Sequence, residues 1–340
     1  MMTTGIPTVS IVICTYNRPR LLERAVGTCA DSIRESGLVA EIVISDNGTG
    51  GYAPRLAERY AQAPFAVRCV TSAPGNISVA RNTGIAAAQA EIVAFLDDDM
   101  EVGLTWLRHL HETLQASGAD VAIGPVRPRF AGGSPPAWDP EGARYTRVLD
   151  RPDGTPLGLD GRRRIRGFVV STASSIWRRA TCFTDREPFD PAFGACGGED
   201  LDLFLRVARR GGRLVWCGCA QAWESIPPAR MQLSYQVMRA YSGGQVYAGI
   251  YVRHAARPVV RAADIMLRGA VQIIMALVRI VILLPRFVSG RLRPDPAMAN
   301  AVLLLAGAAG KVMWRNRIPL YHMEQARPAD QLQPDMLSHT

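Results

Sequence analysis

Short apolar runs alternate with amphipathic segments of helical length throughout residues 9–125, and this alternation restricts the fold more than any other feature. Val9–Thr15 is an almost unbroken apolar run, as expected for a strand buried on both faces of a parallel sheet. Pro19 can occupy the first turn of the next helix, which extends through Ser36. The same pattern predicts strands at Glu41–Ser45, Val67–Thr71, Ile92–Leu96 and Val121–Pro125, and helices at Pro54–Ala63, Ile77–Ala90 and Leu104–Ser117. Such repeated units predict an α/β fold with a doubly wound, mostly parallel sheet.

The rhythm changes after Pro125. Residues 131–166 are rich in Gly, Pro, Asp and Arg, which predicts a long loop or a mobile flap. A strand at Phe168–Trp177, a helix at Glu199–Arg210 and a strand at Arg213–Cys217 are expected next. From Met231 onward the pattern is helical only, so we expect a domain boundary near Pro227-Pro228, a helical extension over residues 227–327 and a frayed tail over 328–340.

The composition fits a globular protein of the cytosol. Of the 340 residues 48% are hydrophobic, enough for a large α/β domain and an appendage. The first apolar run is short and follows no basic segment, so no signal peptide is expected. The seven cysteines show no disulfide spacing, and Cys217 and Cys219 lack nearby partners for a structural zinc site.

Polar clusters follow three of the predicted parallel strands. They are Thr15-Tyr16-Asn17, Asp46-Asn47-Gly48 and Asp97-Asp98-Asp99. In open α/β sheets, ligands bind outside the carboxyl ends of the strands. The sequence therefore predicts that three separate segments contribute polar groups to one crevice.

The run Asp97-Asp98-Asp99 is the sharpest chemical signal. Adjacent carboxylates repel one another unless a cation is present. In extended geometry Asp97 and Asp99 would point the same way and Asp98 the opposite way. This arrangement suits Mg²⁺ or Mn²⁺, which would share its remaining positions with substrate phosphates and water. A solvated acidic turn is the alternative.

Glycines and acids also open the predicted helix at Gly197-Gly198-Glu199-Asp200. The two acids could simply favour the positive end of the helix dipole. Alternatively, one carboxylate projects into the cleft and removes a proton from an acceptor hydroxyl. In a further block, Asn76–Asn82, Asn76 or Ser78 can cap a helix, and Arg81 can then reach a diphosphate or brace an acidic residue.

In this order, the blocks resemble family 2 glycosyltransferases of the GT-A fold, a Rossmann-like architecture. The blocks are Thr15-Tyr16-Asn17-Arg18-Pro19, Asp46-Asn47-Gly48-Thr49, Asn76–Asn82, Phe95–Asp99 and Gly197–Asp200. Asn76–Asn82 and Gly124-Pro125-Val126 are similar to bacterial succinoglycan-type exopolysaccharide transferases. The resemblance covers roughly residues 7–225 and implies a catalytic domain over 1–226, with a donor half to about 125 and an acceptor half beyond it.

The resemblance also implies roles for individual residues. Thr15, Tyr16, Asn17, Asp46, Asn76, Arg81, Asp97 and Asp98 would contact the nucleotide sugar, usually a uridine diphosphate sugar. Asp99, with Asp97, would hold Mg²⁺ or Mn²⁺. Asp200 would be the base of an inverting displacement, and Glu199 would shape the acceptor site. Ser45-Asp46-Asn47 departs from the paired aspartates of many members, which leaves base recognition open.

The excess positive charge lies entirely in the last third of the chain. Residues 1–226 carry 25 Arg and 25 acidic residues, whereas residues 227–340 have a net charge of +9. Eight arginines from Arg253 to Arg293 surround the apolar stretch Gly269–Leu284, which Pro285 is expected to end, and only Asp264 opposes them. This pattern favours helices that lie on an anionic membrane over nucleic acid as partner. The enzyme would then be cytoplasmic and peripheral on the inner face of the plasma membrane, with a lipid-linked glycan acceptor. A helical cap, a dimer interface and two tightly apposed spanning segments are the alternatives.

Two other functions fit parts of the pattern. A Mg²⁺-dependent nucleotidyltransferase usually carries a Gly-rich basic loop after its first strand, and Thr15–Pro19 is not such a loop. A catalytically silent scaffold for nucleotides or glycans would not require Glu199 and Asp200. His109 and His111 lie two apart on a helix and do not share a face. The basic run Arg162–Arg166 could close over a diphosphate or be a solvated loop.

Overall fold

The computed structural model describes residues 6–159, 170–289 and 295–319. Its strands are β1 (Val9–Thr15), β2 (Ala40–Asp46), β3 (Val67–Thr71), β4 (Ile92–Asp97), β5 (Met100–Val102), β6 (Val121–Ile123), β7 (Val126–Phe130), β8 (Ser175–Arg178), β9 (Leu214–Trp216) and β10 (Ala222–Ile226). Its helices are α1 (Pro19–Ser36), α2 (Tyr52–Glu58), α3 (Ile77–Ala87), α4 (Trp106–Ser117), α5 (Arg179–Cys182), α6 (Glu199–Arg209), α7 (Pro228–Met231), α8 (Leu233–Arg253), α9 (Pro258–Ser289) and α10 (Pro296–Val312).

The main sheet has seven strands in the order β3-β2-β1-β4-β8-β6-β9. The strands from β3 to β4 are parallel neighbours, and so are β6 and β9, whereas β8 is antiparallel to both β4 and β6. The predicted α/β class with a mostly parallel sheet is therefore confirmed.

Strand β1 lies in the middle of this sheet, and all seven of its residues are buried. Side chains alternate along a strand, so Ile11 and Ile13 face one layer and Val12 faces the other. The layer beneath Ile11 and Ile13 contains Leu22 of α1. On the opposite face, Gly84 brings α3 so close to the sheet that a Cβ at this position would overlap the side chain of Val12.

Several predicted bounds need correction. Helix α2 ends at Glu58, and residues 59–63 form turns. The strand predicted to end at Pro125 stops at Ile123, because Gly124 packs against Ala220 and Pro125 has no N–H for a ladder. Residues 170–174 of the predicted strand at Phe168–Trp177 are not extended, and β8 covers only Ser175–Arg178. Phe168 itself lies outside the described residues.

A second sheet was not predicted at all. It has three strands in the order β5-β10-β7. Strand β5 has only three residues and follows Asp99 directly, and it pairs antiparallel with β10. A strand of three residues is too short to give a clear alternating pattern in the sequence.

The described residues divide into two compact units. The first comprises the described parts of Met1–Pro128, Thr146–Gly194 and Glu199–Ser225. The second comprises Arg129–Tyr145, Ala195–Gly198 and the described part of Ile226–Thr340.

The second unit is built on three long helices. Helices α8 and α10 pack closely where glycines face the neighbouring backbone. A Cβ at Gly244 would overlap the carbonyl of Gly307, and a Cβ at Gly310 would overlap that of Tyr241. Helix α9 does not end at Pro285, as predicted, but continues to Ser289, since a proline removes a single N–H from the hydrogen-bond ladder. By length and composition, its segment Pro258–Arg286 is long and apolar enough to cross a membrane. Arg291, Arg293 and the tail 328–340 lie outside the described residues.

Candidate active site

The three polar clusters lie side by side at the carboxyl edge of the main sheet. The ladder pairs Thr15 of β1 with Asp46 of β2, and Cys14 with Asp97 of β4. Because these strands are parallel neighbours, the residues that follow them emerge on the same edge. The crevice predicted from the sequence therefore lies in the first unit.

The turns after β1 and β2 are joined by hydrogen bonds. Asn17 adopts a left-handed φ of 53°, which asparagine tolerates, and its Oδ1 accepts from the N–H of Thr49 at 3.1 Å. Asp46 Oδ1 accepts from the N–H of Gly48 at 2.9 Å. Gly48 has no room for a side chain, because a Cβ there would lie 2.9 Å from the backbone N of Asn17. Tyr16 is half-buried beside this turn.

Asp98 and Asp99 form a turn between β4 and β5. Asp98 accepts from the Thr15 hydroxyl at 2.8 Å and from Arg18 at 3.1 Å, and Asp99 lies 3.5 Å from the same Arg18 nitrogen. The chain turns at Asp98 and Asp99 and is not extended there, so the strand alternation assumed for the three acids does not apply, and Asp98 and Asp99 share Arg18. Burial raises the pKa of Asp98, Arg18 lowers it, and Asp99 raises it further.

A buried guanidinium joins the carboxylates of two separate motifs. Arg81 Nη1 donates to Glu199 Oε1 at 2.6 Å and to Asp200 Oδ1 at 2.8 Å, and Nη2 lies 3.5 Å from Asp97 Oδ1. Arg81 is only 5% exposed. Burial lowers its pKa, but Asp200, Glu199 and Asp97 raise it by more, so that the guanidinium remains charged. Two roles were predicted for Arg81, contact with a diphosphate and support of an acidic residue. In this structure its guanidinium contacts acidic residues.

The rest of the Asn76–Asn82 block fixes the surroundings of Arg81. Asn76 caps α3 by accepting from the Val79 N–H at 3.2 Å, and its amide donates to the carbonyl of Pro191. Asn82 exchanges two hydrogen bonds with the backbone of Phe189, at 2.7 and 2.9 Å. The Phe189 ring then lies under the guanidinium, 5.3 Å from the Arg81 Cζ, within range of a cation–π contact.

The Asp200 carboxylate is held by four donors at the start of α6. Oδ1 accepts from Arg81 and from the Thr172 hydroxyl at 2.9 Å. Oδ2 accepts from the Thr172 N–H at 3.1 Å and lies 3.5 Å from the Ser171 hydroxyl. The side chain is 18% exposed, whereas that of Glu199 is 1% exposed. Of the two acids, Asp200 can therefore be reached from solvent.

Glu199 is buried with one oxygen unsatisfied. Its Oε2 has no hydrogen-bond partner within the described residues. Burial raises the pKa of Glu199 to about 7, Asp200 raises it as well, and Arg81 opposes the rise. Partial burial raises the pKa of Asp97 to about 6; Arg81 opposes the rise, and Asp99 and Asp200 add to it.

This shift predicts a pH-dependent stability. Because the pKa of Glu199 rises from 4.5 to about 7 on folding, its contribution favours the folded state below pH 4.5 and is lost as the pH rises through about 7. Glu199→Gln replaces the carboxyl group by an amide that does not ionise, so this loss of stability at high pH should not occur in the variant. Urea unfolding at pH 8 should therefore show the variant more stable than wild type, by on the order of 2–3 kcal/mol, with little difference at pH 4.5. Glu187→Gln, at an exposed position, is the control; an equal difference at both pH values would count against the assignment.

The acidic turn has a donor set suited to a hard divalent cation. Within the described residues, no group of three or more His, Cys, Asp or Glu side chains could hold a metal ion. Asp97, whose side chain is 40% exposed, and Asp99 nonetheless offer two carboxylates in the same crevice. Mg²⁺ is commonly bound by one or two carboxylates with substrate phosphates and water completing its shell. The residues therefore fit a metal that arrives with a diphosphate.

Some residues of this site were not predicted. Arg18 lies in the Thr15–Pro19 motif, but no role was predicted for it. Its position directly after the first strand could have indicated that it reaches the crevice. Ser171 and Thr172 gave none, because they lie in the segment predicted to be a strand. Phe189 could not have been assigned either, since only the folded chain brings it under Arg81.

The features that were left without a function remain so. Cys217 is buried and Cys219 is exposed, and all seven cysteines are free thiols. The basic run Arg162–Arg166 lies outside the described residues.

Comparison with known proteins identifies the family. The sequence model described as "Glycosyl transferase family 2" matches residues 10–180. The chain belongs to this family. It is a family 2 glycosyltransferase that is 30% identical over 263 residues to the succinoglycan biosynthesis protein ExoM of Rhizobium meliloti, covering 77% of this chain and 81% of ExoM. It is also 33% identical to the uncharacterized glycosyltransferase EpsJ of Bacillus subtilis, over 34% of this chain and 33% of EpsJ.

Solved structures with the same fold include S. aureus TarS. TarS 1–349 in complex with UDP superposes with a TM-score of 0.52 at 14% identity and covers 89% of this glycosyltransferase and 90% of that chain. The UDP-GlcNAc complex gives a TM-score of 0.50 at 12% identity. In a longer TarS structure the match spans 44% of the TarS chain. The GT-A fold implied by the motifs is thereby confirmed.

Proposed function

We propose that this glycosyltransferase transfers a sugar, with inversion, from a nucleotide diphosphate sugar to a hydroxyl of a glycan acceptor. The observation that carries the proposal is the Arg81 bridge, which joins Asp97 of the donor-side acidic turn to Asp200 at the start of α6. A guanidinium that binds both carboxylates holds the donor-side and acceptor-side groups next to each other. Correct orientation of the reacting groups can contribute much of the rate of sugar transfer.

The reaction assigns one task to each carboxylate. As the acceptor oxygen attacks the anomeric carbon, its proton passes to Asp200 Oδ2, and the bond from that carbon to the diphosphate oxygen breaks on the opposite face. Glu199 is too buried to meet the acceptor directly, so we assign it the positioning of Arg81. Thr15 and Arg18 fix the acidic turn through Asp98. No covalent intermediate is required.

The donor side would contain the nucleotide and a metal ion. Tyr16, Asn17 and Asp46, in and beside the turns after β1 and β2, would contact the base and ribose, and Asn76 at the start of α3 would complete the donor side. Asp97 and Asp99 would hold Mg²⁺ or Mn²⁺, which when bound supplies Lewis-acid neutralisation of the leaving diphosphate. The complexes of TarS with UDP and UDP-GlcNAc support a uridine nucleotide as donor.

The class of acceptor that we propose is inferred from the names of related proteins. ExoM is named for succinoglycan biosynthesis, which supports a role in exopolysaccharide or cell-surface polysaccharide synthesis for this chain as well. A growing glycan on a lipid carrier at the inner face of the plasma membrane is the acceptor that we propose. The family membership argues against a nucleotidyltransferase.

Metal-dependent binding of UDP tests the donor side. Calorimetry should show UDP bound at least about tenfold more tightly with Mn²⁺ or Mg²⁺ than with EDTA, because Asp97 and Asp99 would hold an ion that neutralises the diphosphate. Asp99→Ala should lose this gain, and Asp185→Ala, at an exposed aspartate, should keep it. Equal affinity with and without metal would refute the metal role, and no binding in either condition would refute the uridine donor.

A further inference from the structure

Among the described residues of the second unit, helix α9 has a long apolar face that no other element covers. The exposed side chains along it include Leu267, Val271, Ile274, Val278, Val281, Ile282 and Val288, which are 49–69% exposed. The helix has 32 residues and is therefore about 48 Å long. A continuous exposed apolar face of this length marks an interaction surface.

A stripe of arginines borders this face. Arg261, Arg268, Arg279 and Arg286 are separated by 7, 11 and 7 residues. These spacings are close to two and three whole helical turns, so the four side chains lie along one flank of α9. Arg261 and Arg268 share Asp264, at 3.3 and 2.8 Å, whereas Arg279 has no acidic partner within the described residues.

The third flank of α9 is the one that packs on the protein. Ile265, Gly269 and Ala276 are buried. A Cβ at Gly269 would lie 3.2 Å from the carbonyl of Ala308, so this flank faces α10. The helix therefore has a packed stripe, a basic stripe in which Arg286 also lies 3.7 Å from Asp295, and a wide apolar face that the described residues leave uncovered.

A helix that crossed the bilayer would place these arginines badly. The apolar segment Pro258–Arg286 has its midpoint at residue 272. Arg268 and Arg279 are 4 and 7 residues from that point, which is about 6 and 10 Å along the axis, and charged side chains at such depth are strongly disfavoured. A helix that lies flat keeps all four guanidinium groups at the level of the lipid phosphates.

A groove beside the apolar face also suits a hydrocarbon ligand. It has a volume of about 760 Å³, and its lining includes Ile280 and Leu284 of α9 with Trp138, Met231 and Val302. Leu284 is 48% exposed and thus belongs to both the groove and the apolar face. An apolar hollow that continues an apolar face favours acyl chains as the neighbouring material.

We propose that α9 lies in the plane of an anionic lipid bilayer. Its apolar face enters the boundary between headgroups and acyl chains, and the stripe of Arg261, Arg268, Arg279 and Arg286 binds lipid phosphates. The net positive charge of residues 227–340 complements such a surface. The inference rests on the second unit alone, so it stands or falls separately from the donor and acceptor of the reaction.

Sedimentation with vesicles tests the surface. The full chain should bind vesicles of phosphatidylglycerol and phosphatidylcholine at least about tenfold more tightly than pure phosphatidylcholine, and added salt should weaken binding. Arg268→Gln with Arg279→Gln should lower the affinity about 30-fold, at roughly a factor of five for each arginine. Arg55→Gln with Arg186→Gln, at two exposed positions of the first unit, should leave it unchanged.

Labelling of the two ends of α9 distinguishes a flat helix from a spanning one. Ala256→Cys and Ala297→Cys, each with Cys219→Ser, place a thiol at an exposed position just beyond either end of the helix. An impermeant maleimide should label both variants on the outside of sealed vesicles. Labelling of only one end would show a spanning helix and overturn the proposal. So would failure to bind anionic vesicles, including the case in which ultracentrifugation shows a second copy of the chain covering the face.

Discussion

Asp200→Asn is expected to lower sugar transfer by about 10²- to 10⁴-fold and to leave nucleotide binding nearly unchanged, because a positioned general base contributes a factor of that size. The asparagine amide has almost the same shape and can still accept hydrogen bonds from Thr172 and Arg81. It cannot take a proton from the acceptor. Transfer rates and UDP affinity measured on the same preparation separate these two effects.

The matched control for this variant is Asp185→Asn, which changes an exposed aspartate of the same unit. It should keep wild-type transfer. If Asp200→Asn also kept wild-type transfer, the base assignment would be wrong. Loss of transfer with donor binding retained would distinguish an enzyme from the silent scaffold.

Arg81→Met is expected to destabilise the first unit by about 3–5 kcal/mol at pH 8. The guanidinium is 5% exposed and balances Glu199, Asp200 and Asp97, so its removal leaves buried carboxylates without a counter-charge. At pH 5.5 the cost should be smaller, because Glu199, whose pKa is raised to about 7, is then protonated. Urea unfolding at the two pH values measures the difference.

Two further variants make this test specific. Arg55→Met removes an exposed arginine from α2 and should cost less than about 0.5 kcal/mol. Arg81→Lys keeps the charge but not the fork of donors, so an intermediate loss of stability is expected. Stability of Arg81→Met equal to wild type would show that the bridge contributes nothing to the fold.

The carboxyl edge of the sheet could be predicted because its signals are local. Apolar runs fixed the strands, and the polar residues directly after them had to emerge together once the strands were parallel neighbours. Thr15, Asp46 and Asp97 lie together for this reason. The contact of Arg81 with acidic residues was one of the two roles predicted for it. An arginine one turn into a helix that starts at the crevice can extend only toward a bound diphosphate or toward nearby carboxylates.

The remaining features depend on contacts between distant segments. Asp98 and Asp99 share Arg18 because β5 begins immediately after them, and a strand of three residues leaves no pattern in the sequence. Thr172 reaches Asp200 across 28 positions of the chain. The continuation of α9 through Pro285 was missed because a proline removes only one N–H from the hydrogen-bond ladder, and the helix continues past it to Ser289.

Release of nucleoside diphosphate from a panel of nucleotide sugars tests the central claim most directly. With Mn²⁺ or Mg²⁺ present, we expect one donor, a uridine diphosphate sugar, to be cleaved slowly by wild type, and faster when a glycan acceptor is added. Asp200→Asn should abolish this release, and Asp185→Asn should not. Release that is unaffected by Asp200→Asn, or no release from any donor together with no nucleotide binding, would contradict the account.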